Sequence, residues 1–182
     1  FLRDRARLVQ AEVWADDETL GFKTRPNRSG TSLTLVYGNQ LIAARTRAEL
    51  AHQRTETGIS GYDAQTRDVI DEAAGPDAVQ AEVSGGRSGP DVLRKAFGDR
   101  PSYQLRQAPI ASRDARDWAR AEMLRRARRF VTIVGTTRGS PDMVVGSRLD
   151  LQRISAPFSG EGYYVTRIRH TYDLESGHRT HF

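Results

Sequence analysis

The chain has 182 residues, enough for one domain or two small ones, and a hydrophobic content of 37% supports an ordinary core. It carries no cysteine, which excludes disulfides, thiolate nucleophiles and cysteine-ligated zinc. The formal net charge is +5 and the pI about 10.0, and no apolar run approaches the roughly 18–20 residues of a membrane span.

Only Lys23 and Lys95 are lysines, so the basic charge is almost entirely Arg, interleaved with Asp and Glu. A dedicated nucleic-acid surface concentrates its charge instead. Phe1 opens a helical phrase where a native start carries Met, so a piece of a longer protein is expected.

Along the chain, apolar Phe1, Leu2, Ala6, Leu8 and Val9 among charges predict an amphipathic helix over Phe1 to Gln10. Ala11 to Ala15 and Thr19 to Lys23 alternate around Asp16-Asp17-Glu18 and predict a β-hairpin. Thr24 to Thr31 reads as a linker. Ser32 to Tyr37 and Gln40 to Arg45 read as strands, followed by a longer alternating run from Arg54 to Asp63. Thr66 to Ala74, with Val69, Ile70, Ala73 and Ala74, is expected to form a short helix that stops at Gly75-Pro76.

Residues 76–110 are rich in Gly and Pro and thin in apolar side chains, and read as an exposed insertion. Within it Asp91 to Phe97 can hold one or two helical turns and Tyr103 to Leu105 a short strand. The clearest element is a helix from Ser112 to Arg129, with Ser112 as N-cap and Arg125, Arg126, Arg128 and Arg129 at its negative end. Ala115, Trp118, Ala119, Met123, Ala127 and Phe130 share one side, and Trp118 is expected to anchor the helix on a sheet. Its loss should then cost roughly 3–5 kcal/mol. Phe130 to Val134, Ser147 to Ile154 and Tyr163 to Tyr172 read as strands, with His178 to Phe182 as a final edge.

The search for chemistry returns little. Gly86-Arg87-Ser88-Gly89 lacks the spacing of a nucleophile elbow, and neither lysine follows a glycine as in a phosphate loop. The histidines are His52, His170, His178 and His181; on a strand His178 and His181 face opposite sides and cannot share a metal. Asp16-Asp17-Glu18 marks a turn, and Asp68, Asp71 and Glu72 read as solvated residues of the short helix. No catalytic, cofactor-binding or metal-ligating residue is assigned, and no enzymatic activity is expected.

The order of the phrases is more informative than their chemistry. Phe1 to Trp14 followed by Thr19-Leu20-Gly21-Phe22 resembles the helix and hairpin of the phage late control protein D family. Leu41 to Gln53 leading into Gly58-Ile59-Ser60-Gly61-Tyr62-Asp63 resembles that family's strand ending in Gly-Trp-Asp, with Tyr62 where Trp is usual. Ala115 to Arg129 is similar to its Ala- and Arg-rich helix. Gly146 and Phe158 to Tyr172 resemble its closing phrase, and Gly177 to Phe182 the strand after it, with His178 where Tyr is usual.

The resemblance spans most of the chain outside residues 76–110. It implies a structural baseplate hub like those of phage T4 and the N-terminal part of VgrG spikes, in a phage tail or contractile injection system. Such a hub is a homotrimer whose tube-like β-barrels join the sixfold inner tube to the trimeric spike. It would work in the virion tail, or in a phage-tail-like particle, assembled in the bacterial cytoplasm. Partners would be the chain itself, the inner tube protein and a spike, with neither membrane nor nucleic acid expected.

The expected fold class is α+β: a mainly antiparallel β-barrel over residues 32–182, with one long packed helix, and part of a small helix–hairpin domain over residues 1–31. A first barrel would precede Phe1. Alternatives are a basic nucleic-acid-binding module, resting on the Arg125–Arg129 cluster, and a cell-wall hydrolase of the tail tip, which needs converging carboxylates or histidines.

Overall fold

The computed structural model describes residues 1–80, 82–83, 87–104, 109 and 111–182. The opening phrase folds into helix α1 (Leu2–Leu8) and a hairpin of β1 (Ala11–Asp16) and β2 (Thr19–Thr24). Asp17 takes φ 46° in the turn, a left-handed conformation that Asp tolerates through local hydrogen bonding. A 3-10 turn at Arg25–Asn27 leads to β3 (Ser32–Val36), β4 (Leu41–Ala48), β5 (Glu56–Asp63) and β6 (Asp68–Ala74). Then come α2 (Asp77–Gln80), α3 (Gly89–Phe97), β7 (Pro101–Gln104) and α4 (Ser112–Ala127). The chain closes with β8 (Val131–Arg138), β9 (Arg148–Gln152), β10 (Gly160–Tyr164), β11 (Arg169–Asp173) and β12 (Gly177–His181). The class is α+β.

Residues 1–27 and 48–130 form one compact unit, and residues 28–47 and 131–182 a second. This partition differs from a division at residue 31/32, because residues 48–130 join the helix–hairpin instead of a barrel.

In the first unit α4 lies against one face of a three-stranded sheet ordered β6-β5-β7. Ile59 and Ile70 pack on Ala115 and Ala119, whose small side chains let helix and sheet approach. The Thr57 hydroxyl, buried, donates to the Ala119 carbonyl at 2.8 Å. Met123 and Ala127 extend the contact to Ala78 and Val79 of α2.

Three expectations in this unit are corrected. Residues 68–74 are a strand, not a helix. The Asp63 carboxylate accepts from the backbone of Gln65 and Thr66, Arg67 takes φ 60°, and the chain reverses to pair β6 along β5. Trp118 is only half-buried at the margin of the Ile59–Ile70 cluster; the anchors are alanines. We therefore expect Trp118→Ala to cost about 2 kcal/mol in urea unfolding, and a loss above about 4 kcal/mol would return it to the core. The N-cap of α4 is Ala111, with no side-chain cap bond, rather than Ser112.

The segment 76–110 is less of an insertion than its composition implies. Ser88 caps α3 by accepting from the Asp91 amide at 3.2 Å, Leu93 is buried, and β7 adds to the sheet in parallel with β5. Leu105, expected to end that strand, lies outside the described residues.

In the second unit β10-β9-β3 form one sheet and β11-β12-β8-β4 another. Leu35, Leu41, Met143, Leu149, Leu151 and Val165 make a common core, with Ile133 and Phe182 packed against it. The expected continuous strand over Tyr163 to Tyr172 is broken. Val165 turns aside, exchanging backbone hydrogen bonds with Gly146 and Ser147, so β10 and β11 fall in different sheets. That interruption is why strand pairing among the described residues closes no barrel: each sheet keeps two edges. Nor is β12 an edge, since it lies between β11 and β8.

Candidate assembly surfaces

The densest basic text, Arg125 to Arg129, is spent inside the fold. Arg125 and Arg126 both reach Glu122, at 2.6 and 2.7 Å. Arg128 forms a two-pronged pair with Glu82, its Nη2 at 2.6 Å from Oε1, and donates to Gln10. Both members of the Arg128–Glu82 pair are largely buried. Arg129 is exposed. Arg128 thus ties α4 to Glu82 and Gln10, Arg125 and Arg126 are paired along the helix itself, and Arg129 alone of the cluster shows no ion pair among the described residues.

Burial pushes the Glu122 carboxyl up, but the hydrogen bonds and charges of Arg125 and Arg126 outweigh it and hold the pKa below the usual glutamate value. A depressed folded-state pKa stabilises at neutral pH, above the unfolded value of about 4.3, and that contribution is lost as pH falls through the folded value. Glu122→Gln should therefore flatten the loss of stability on acidification below about pH 4. An unchanged acid limb in pH-dependent unfolding would contradict the assignment.

The histidines hold hydrogen-bonding positions. His178 and His181 face opposite sides of β12, as alternation requires. The His181 ring lies between two hydroxyls, Thr136 Oγ1 at 3.0 Å from Nδ1 and Thr171 Oγ1 at 3.2 Å from Nε2. On the other side His170 Nδ1 is 3.0 Å from Thr180 Oγ1, and the His170 and His178 rings are 5.6 Å apart. His52 is exposed, 4.0 Å from Glu49. Among the described residues no group of three or more His, Asp or Glu could hold a metal. An open depression of about 500 Å³ is lined by Leu50, Arg54, Leu93, Phe97, Asp99 and Arg100, but Asp99 is paired with Arg94 at 2.9 Å.

Two sheet faces stand out. The first is the face of β6-β5-β7 turned away from α4. The register aligns Tyr62 with Val69, Ser60 with Asp71, and Gly58 with both Ala73 and Tyr103. Val69 is 77% exposed and Tyr62 and Tyr103 are each 58% exposed. Tyr103 lies over Gly58, where a Cβ would stand 2.4 Å from its ring, so that glycine makes room for the aromatic. Two carboxylates complete the face: Glu56 accepts from the Tyr103 hydroxyl at 3.4 Å, and Asp71 from Ser60 at 3.0 Å. No outward position of these three strands is basic. Asp71, read as part of a solvated helix, instead belongs to this face. Reading residues 66–74 as helical grouped Val69 with Ile70, Ala73 and Ala74, whereas in the strand Val69 and Ile70 face opposite sides.

The second is the face of β11-β12-β8 turned away from the common core. Thr137 and Thr180 are buried on the inner side, so their neighbours point outward. There Arg169 stands opposite His181 and Thr136, and Thr171 opposite Arg179 and Arg138. Val134, 66% exposed, extends the row along β8. Asp173 is the one carboxylate in these rows; its oxygen accepts from the backbone of Ser176 and Glu175, which holds its pKa down.

The α+β arrangement is also found in solved tail proteins. The 43 kDa tail protein of prophage MuSo2 from Shewanella oneidensis superposes with a TM-score of 0.65 at 14% identity, over 98% of this chain and 49% of that one. A tail protein from Neisseria meningitidis MC58 does so with a TM-score of 0.59 at 11% identity, over 97% of this chain and 50% of that one. The chain spans about half the length of these tail proteins. In sequence, residues 1–173 match the Alg8 N-terminal domain family, and the chain belongs to that family. No curated protein matches it significantly.

Proposed function

We propose that this chain is a structural component of a phage tail or phage-tail-like particle. The observation that carries the reading is a fold shared, over nearly the whole chain, with two tail proteins, one of them from a prophage. The ordered phrases that resemble the late control protein D family narrow it to the baseplate hub. In that role three copies form a ring, with the inner tube protein on one side and a spike on the other, in a particle assembled in the bacterial cytoplasm. The role is architectural and needs no catalysis. No helix among the described residues is long and apolar enough to cross a membrane.

The nucleic-acid alternative loses its main support, because Arg125, Arg126 and Arg128 are bound to Glu122 and Glu82. Deleting the gene from a producing strain tests the proposal. Expected are free spikes with no inner tube grown on them, and recovery by the full-length gene. Particles of normal length and number without the protein would overturn it.

A further inference from the structure

We propose that the two sheet faces are partners for each other between copies: the Tyr62, Val69 and Tyr103 face of one copy docks on the Arg138, Arg169 and Arg179 face of the next. This rests on reading the chain as a self-assembling tail component, and names the surfaces through which it assembles.

A strand with one face in the core and one in water alternates apolar inward and polar outward. The outward face of β6-β5-β7 breaks that rule at three large side chains, with Tyr62 and Val69 directly paired and Tyr103 two rows along. Exposed aromatic patches of this kind mark interaction sites, and tyrosine is enriched at the buried centre of interfaces.

Charge identifies the occupant. Among the described residues the aromatic face carries Glu56 and Asp71 and no outward cation on its three strands, so a basic partner fits it. The face of β11-β12-β8 supplies that within the same chain. Arg179 and Arg138 stand directly opposite each other on adjacent strands, an arrangement that is unfavourable between like charges. Asp173 on the same face offsets part of the charge of Arg179, and no carboxylate in these rows stands opposite Arg138. Carboxylates arriving from outside would offset the rest.

Guanidinium groups also stack on tyrosine rings, which a lysine cannot match in geometry. Two different surfaces meeting in this way make a head-to-tail contact, which closes into a ring when the rotation allows. A ring of copies is what the hub reading requires.

Sedimentation of the full-length protein and its charge variants tests the contact. Arg138→Glu with Arg179→Glu, and separately Glu56→Arg with Asp71→Arg, should each weaken self-association about 100-fold or more, since like charges then face each other. Reversing both arginines keeps the cross-strand pair like-charged, so folding is little disturbed, and circular dichroism and melting temperature verify this. The decisive variant carries all four reversals in one chain: complementarity returns, and self-association should return with it.

Association that is unchanged in every variant overturns the inference and leaves the tail reading standing. So does weakening without recovery in the fourfold variant. A full-length protein that stays monomeric overturns both the contact and the hub. Single-stranded DNA binding abolished by the two arginine reversals, with self-association intact, would assign the basic face to nucleic acid instead.

Discussion

Leu151→Ala is expected to destabilise the protein by about 3–5 kcal/mol, the upper range for deleting a buried leucine where the site cannot collapse. Leu151 is fully buried and sits on β9, the middle strand of its sheet, opposite Leu35 on one side and Gly160 on the other. Leu41, Met143 and Leu149 belong to the same cluster, so a cavity there is walled by side chains already held by strand pairing. Leu151→Met, which nearly conserves volume, should cost under about 1.5 kcal/mol. Urea unfolding of the pair of variants separates cavity formation from a general intolerance of change. An alanine cost below about 1 kcal/mol would mean that the two sheets do not share this core.

Gly30→Ala is expected to cost about 3 kcal/mol, at the top of the range for overpacking. A Cβ at residue 30 would stand 2.3 Å from the Gly146 carbonyl oxygen and 2.7 Å from the Ser147 nitrogen. These are backbone atoms, and neither can swing aside. Gly146 itself takes φ +104°, with the Arg28 side chain close beside it. Just beyond this contact Arg148 donates to the Thr31 carbonyl at 2.8 Å, and β3 begins its parallel pairing with β9 at Ser32 and Arg148. A methyl group at residue 30 therefore pushes apart the two strands that start the sheet. Gly38, at φ +84° with open space around it, gives the comparison: alanine there meets backbone strain alone and should cost about 1 kcal/mol. Equal costs at the two positions would deny the close approach.

These two residues show which parts of the fold are legible in the sequence. The α1 helix, the β1–β2 hairpin and α4 follow from local periodicity and turn chemistry, because their patterns extend over enough residues to exclude the alternative. Gly146 is picked out by family resemblance, but its reason is not local: it lies in Gly30, more than a hundred positions away. Residues 68–74 satisfy both periods, with Ile70 and Ala74 serving a helix face or a strand face equally. The decision belongs to β5, which offers a pairing edge. The break between β10 and β11 is likewise set by the hydrogen bonds of Val165 to a distant loop, and a run of alternating residues carries no sign of it.

The same distinction holds for the candidate surfaces. Arg125 to Arg129 look like a patch because the sequence shows the cations together. Glu82, which neutralises Arg128, is remote in sequence and comes near only in the fold. Conversely, Tyr62, Val69 and Tyr103 come from three strands and become a patch only once the register of β6, β5 and β7 is known. Arg138, Arg169 and Arg179 come together in the same way across β8, β11 and β12. Neither face could be read from spacing along the chain.

Cryo-electron microscopy of the assembled particle tests the architectural role most directly. The expected result is this α+β fold in three copies, forming a ring between the inner tube and the spike. A purified, complete particle in which the protein is absent, or present only as a single copy away from that junction, would contradict the hub.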